Sequence, residues 1–177
     1  MSLFATLSAA PPAVQIHLLF AFPSLVIGTL VLFWLRPGPW HKRFGYVWVV
    51  SMAGLATSGF FIHSDFKIIG PIGPLQAFSV LTLWTLYNGI RCARTGNIAA
   101  HRASFEGLWF GGIGLTVLLN FLPGRTMNRA VLGDHGEHGV WVVAVGVPLL
   151  VAFYLNRNRD FFFRRGRVSL QNDGISP

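Results

Sequence analysis

Charge is scarce in this sequence. Only 11% of its 177 residues are Asp, Glu, Lys or Arg, whereas a soluble domain carries about 25%. Hydrophobic residues make up 53%, and the mean hydropathy is +0.54. There is too little polar surface to coat a water-soluble globule, and an integral membrane protein is the class that remains. Cysteine is nearly absent. The single Cys92 excludes an internal disulfide and reads as a plain thiol at a helix end. No basic stretch precedes the first apolar run, and the small residues Ser8 to Ala13 come before that run rather than after it. A cleaved signal peptide has the opposite order, so the first run is expected to be a retained helix. The sequence also lacks a P-loop, a dinucleotide fingerprint, a Ser-His-Asp order, a nucleophile with an attendant base, and any repeat of 20 to 50 residues. No run carries a recurring polar face, which argues against a channel or transporter.

What is present is a series of long apolar runs separated by helix breakers. Pro37-Gly38-Pro39, Gly70-Pro71-Ile72-Gly73-Pro74, Thr95-Gly96-Asn97 and Pro123-Gly124 all mark turns. Helices are expected at about 14–35, 40–63, 75–91, 98–122 and 138–155, long enough to cross a hydrocarbon core of ~30 Å, the shortest with flanking residues completing the span. The fold class is all-α, an integral membrane bundle of five transmembrane helices over 1–157, followed by a basic juxtamembrane tail over 158–177.

The net charge of +8 does not indicate nucleic acid, because the basic residues cluster between and after the apolar runs. With five crossings, Arg36, Lys42, Arg43, Arg91, Arg94, Arg102 and the tail arginines fall on one side. Lys67, Arg125 and Arg129 fall on the other. The positive-inside rule then puts the N-terminus outside and the C-terminus in the cytoplasm of a bacterial inner membrane. Trp34, Trp40 and Trp141 lie at run ends and suit the interfacial belt. Gly54, Ser58 and Gly111-Gly112-Ile113-Gly114 offer close helix contacts. Arg157 at the end of the bundle and Arg159, Arg164, Arg165 and Arg167 in the tail surround Phe161, Phe162 and Phe163. That composition is expected to contact anionic lipid headgroups or a partner subunit.

Folding this topology sorts the histidines. His17 and His63 fall on the outer side, and His41 and His101 on the cytoplasmic side. Imidazoles from two helices in one leaflet are candidate axial ligands for haem b or another metal, and a pair in each leaflet offers an electron path across the membrane. Along helix two, 22 residues separate His41 from His63, ~33 Å of helical rise, which places both near the interfaces. Asp134, His135, Glu137 and His138 bring carboxylates and imidazoles together in one outer loop and are candidates for Zn²⁺ or Cu²⁺. Glu106 is an ionisable group inside helix four. Arg102 is expected to pair with it one turn away, and proton exchange with His101 or a quinone headgroup is the functional expectation.

The ordered set is Ile16-His17, His41-Lys42-Arg43-Phe44-Gly45, His63, Arg91 with Thr95-Gly96, His101-Arg102, and Leu122-Pro123-Gly124-Arg125. It resembles a family of bacterial predicted membrane proteins, domain of unknown function 2306, over about 15–125. The resemblance implies a multi-helix membrane fold, broadly similar to small b-type cytochromes. That family often carries a methionine after the fourth-helix His-Arg pair, where this sequence has Ala103. Two function classes follow. One is a non-catalytic membrane subunit that packs against a larger complex or a second copy. The other is a small redox protein built on the paired histidines.

Overall fold

The structure, a computed structural model, describes residues 10–62 and 74–158. His63 and the tail residues Arg159, Phe161, Phe162, Phe163, Arg164, Arg165 and Arg167 lie outside the described residues, as does the side chain of Asp134. Among the described residues the chain is all helix and turn, with no strand. Helix α1 spans Pro12–Phe33, α2 Pro39–Gly59, α3 Pro74–Arg94 and α4 Ile98–Gly107. A π-helical segment, Leu108–Gly114, continues α4 directly into α5, Leu115–Leu119. A short α6, Thr126–Leu132, and a 3₁₀ segment, Gly133–His138, lead into α7, Gly139–Arg157.

The helix ends follow local chemistry. α1 and α2 both carry proline at their first turn, where its missing N–H has no intrahelical partner to lose. Asn97 caps α4 by accepting a hydrogen bond from the Ala100 amide at 3.1 Å. Gly96 just before it has φ +75°, a conformation that glycine adopts without a Cβ penalty. The sequence expectation of one unbroken helix over 98–122 gives way to the π-helical stretch. Gly111, Gly112 and Gly114 fall within that stretch, so few side chains resist the wider turn.

Among the described residues, two helices are long and apolar enough to cross a membrane by length and composition: Pro12–Phe33 and His135–Arg157. Only 11% and 6% of their apolar windows are buried inside the protein. The core helix of a soluble protein would be mostly buried, so these faces are built to meet an apolar surrounding. Exposed Leu19, Phe22, Trp141, Leu149 and Phe153 line them.

The core lies where α1, α2, α3 and the α4–π unit meet. Trp48, Met52, Leu86, Leu108 and Ile113 are buried together there. The Trp48 indole N–H donates to the Ser24 carbonyl of α1 at 2.9 Å, and the Trp48 ring meets Phe105 edge-on at 5.2 Å. Gly28 makes room for this indole, because a Cβ at position 28 would collide with Trp48 Nε1. Buried small polar residues, among them Ser24, Ser51, Ser58, Ser79 and Thr82, thicken the helix contacts without bulk.

This packing gives a paired expectation. Gly28→Ala forces the indole off the Ser24 carbonyl and destabilises the detergent-solubilised protein by about 1–3 kcal/mol, the usual cost of overpacking. Gly45→Ala, where an added Cβ meets nothing within 4 Å, leaves stability equal or slightly higher. Thermal melts followed by tryptophan fluorescence check both.

Candidate functional site

The candidate histidines occupy two ends of the α1–α2–α3–α4 bundle. His17, near the start of α1, places Nδ1 3.0 Å from the Ser58 hydroxyl near the end of α2. That hydroxyl in turn donates to the Leu55 carbonyl at 2.9 Å. A serine hydroxyl has one proton. With that proton on Leu55, His17 Nδ1 must be the donor to Ser58, and its lone pair then resides on Nε2. The absence of side chains at Gly59 allows this meeting: a Cβ there would press on Ser79 Oγ at 2.6 Å and touch the His17 ring at 3.9 Å. His63, the expected partner of His17, lies outside the described residues.

At the other end, His101 in the first turn of α4 directs Nδ1 to the Gly89 carbonyl of α3 at 3.0 Å. A carbonyl only accepts, so Nδ1 carries the proton and Nε2 again holds the free lone pair. Phe105, one turn further, packs on the His101 ring at 4.7 Å. It fills the space a side chain would need at Gly89. His41, at the start of α2, lies within electrostatic reach of His101, and its ring also meets the Leu35 backbone. The structure thus brings His41 and His101 to one end of the bundle.

Both ends share a donor set. A ligating imidazole typically donates its other N–H to a carbonyl or carboxylate, which fixes the tautomer and aims the ligand nitrogen. His101 meets this condition through Gly89, and His17 meets the equivalent condition through Ser58. Imidazole nitrogens with their tautomers fixed in this way are the donor type that a histidine-ligated group uses. His17 abuts Ser58, and Ser58 lies 17 positions beyond His41 on α2, so the two ends are ~26 Å apart along the helix. That is shorter than the ~33 Å separating His41 from His63 in sequence.

One turn past His101 sits a second feature. Glu106 is buried to 1% exposure. Its Oε1 accepts from Arg102 Nε at 2.8 Å and from Arg157 Nε at 3.0 Å, while Oε2 has no partner. Arg102 is the pairing expected from the i, i+4 spacing. Arg157 is grouped by sequence with the basic residues expected to contact lipid headgroups or a partner subunit, yet it turns inward. It donates to the Leu32 carbonyl at 3.0 Å and lies over the Phe33 ring at 4.9 Å. No sequence signal marks this contact, because Glu106 and Arg157 are 51 positions apart. Asn128 is a further residue that motif reasoning misses. It is buried, and its amide donates to the Phe121 and Gly136 carbonyls at 2.6 and 2.7 Å. It pins the loop that carries His135, Glu137 and His138.

The two arginines contribute unequally. Arg102 is 59% exposed and Arg157 only 26%, so water screens the first far more than the second. In double-mutant cycles with Glu106→Gln, Arg157→Gln shows a coupling of about 1–3 kcal/mol, and Arg102→Gln less than ~1 kcal/mol. Chemical or thermal unfolding of the four variants of each cycle measures it.

No curated protein and no solved structure matches the chain. The family described as "Predicted membrane protein (DUF2306)" matches residues 14–151, a span that includes both histidine ends, Glu106 and the Asn128 loop. The chain therefore belongs to the DUF2306 family of predicted membrane proteins.

Proposed function

We propose that this protein is a small b-type cytochrome of the bacterial inner membrane that carries electrons between its two faces. The supporting observation is the matched state of His17 and His101. Each commits Nδ1 as a donor, to Ser58 and to Gly89 respectively, and each keeps Nε2 free as a ligand atom. In this reading the chain crosses the membrane five times, with α4, the π-helical segment and α5 together making one crossing. The N-terminus is outside and the C-terminus cytoplasmic, which follows from the distribution of arginine and lysine. His41 and His101 then serve the cytoplasmic side, and His17 with His63 the outer side.

Haem, when bound, supplies one-electron redox chemistry. The chain's own residues position the imidazoles and exclude water. Phe105 and Trp48 wall off the His101 end with aromatic surface. Burial and axial ligation are the levers by which such a site sets its potential.

A second reading, a non-catalytic subunit, draws on α7. Gly139 is the only buried residue of that helix. An apolar groove of about 400 Å³ runs beside it, lined by Gly114, Gly146, Leu118, Leu150 and Phe153 among others. Lipid contact accounts for such a face, and so does a partner helix.

The visible spectrum of protein purified in detergent from haem-supplied cells separates the two. The cytochrome reading expects a sharp α-band on dithionite reduction, diminished in His101→Ala and His41→Ala and, independently, in His17→Ala and His63→Ala. A colourless wild-type protein under these conditions would refute the cytochrome reading and leave the subunit.

A further inference from the structure

Outside the two histidine ends, one group of ligating side chains converges among the described residues. His135, Glu137 and His138 bring one candidate ligand atom each to within 4.8 Å of one another. All three are solvent-exposed, on the 3₁₀ segment between α6 and α7. We propose that this loop binds a divalent transition-metal ion, with Zn²⁺ or Cu²⁺ as the fitting class, through His135, Glu137 and His138.

Three observations carry the assignment. The first is the donor set. Two imidazoles and one carboxylate match the ligands that hold Zn²⁺ in three-residue sites, where water takes the remaining position. They suit Cu²⁺ as well, and are softer than the all-oxygen sets that magnesium and calcium prefer.

The second is distance. Metal–nitrogen and metal–oxygen bonds of ~2.1 Å at a tetrahedral angle put neighbouring ligand atoms ~3.4 Å apart. His138 Nδ1 and Glu137 Oε1 already stand at 3.3 Å. The His135 and His138 rings lie 5.7 Å apart, centroid to centroid. Small rotations of exposed side chains bring His135 in. His138 Nδ1 also lies 3.3 Å from the His135 carbonyl, a contact that binding through this nitrogen would replace.

The third is the rigidity of the backbone beneath. The Asn128 amide holds the Gly136 carbonyl from below, and a Cβ at Gly136 would press against Asn128 Oδ1 at 2.7 Å. At Gly139, a Cβ would collide with the Phe121 carbonyl and Asn128 Nδ2. The peptide is therefore clamped at its centre and at its junction with α7. Loop order of this kind lowers the entropic cost of gathering ligands. A metal here would also fasten the start of α7, a helix otherwise thinly held.

The test is a titration of the tag-free, full-length, chelator-stripped protein in detergent with Zn²⁺, and separately with Cu²⁺, by calorimetry. The expected result is one ion per chain. Affinity falls by ~10-fold or more in His135→Ala, His138→Ala and Glu137→Gln, and is unchanged in Thr95→Ala, an exposed residue before α4. Copper would add a paramagnetic spectrum with nitrogen hyperfine structure that changes in His135→Ala. Absence of saturable binding by either ion would overturn the proposal. So would binding that survives His135→Ala and His138→Ala combined. Neither result touches the haem-ligand assignment, which depends on different histidines.

Discussion

A buried carboxylate cannot be left alone in an apolar interior, and Glu106 sets the terms on which this bundle closes. Desolvating an unpaired carboxylate costs several kcal/mol or more. Arg102 on the same helix cannot meet that cost alone, because it is mostly solvated. Arg157 does so from the end of α7, and the same guanidinium reaches the Leu32 carbonyl of α1 and covers Phe33. One polar contact therefore ties α1, α4 and α7 together at the end that also holds His101. Phe33, which Arg157 covers, forms edge and tilted ring contacts with Trp109, Phe110 and Phe153, and Phe110 contacts Trp109 and Phe153 in turn, at 4.9 to 6.2 Å. The unpartnered Oε2 of Glu106 leaves one acceptor available one turn from His101.

The histidine ends show how few residues are needed to fix an imidazole tautomer in a lean bundle. Small residues let neighbouring helices approach: Gly59 near His17 and Gly89 near His101. At that approach, one hydroxyl or carbonyl is enough to fix a tautomer. In the proposed topology the two ends stand near opposite faces of the membrane. Trp48 and Met52 fill the middle of α2, and the indole bond to Ser24 holds α1 against it.

Much of the helix order was legible because breakers act locally. Pro37-Gly38-Pro39 must turn the chain, and Gly96 with Asn97 must stop one helix and start another, whatever lies elsewhere. The long apolar runs were legible because their composition has no soluble use. The i, i+4 pair of Arg102 and Glu106 could be read from spacing alone. Arg157 could not: its charge in a basic tail suggests lipid, and only the tertiary fold brings Glu106 to it. The π-helical turn at 108–114 was hidden because its glycines read equally well as close-packing positions. Asn128 sits on the short α6, in a stretch that reads from sequence as an ordinary polar loop, and its role depends on where the Phe121 and Gly136 carbonyls meet. His17 was legible as a candidate, but the Ser58 contact that selects its tautomer needs two antiparallel helices in register.

The central claim is that electrons cross the membrane through this chain, and transfer across a sealed bilayer tests it most directly. Purified protein would be reconstituted into vesicles enclosing ferricyanide, with ascorbate supplied outside, and the colour of the trapped ferricyanide followed. The account predicts that wild-type vesicles bleach the trapped oxidant and that vesicles carrying His17→Ala or His101→Ala do not. Wild-type vesicles that bleach no faster than protein-free ones, while remaining sealed, would contradict it.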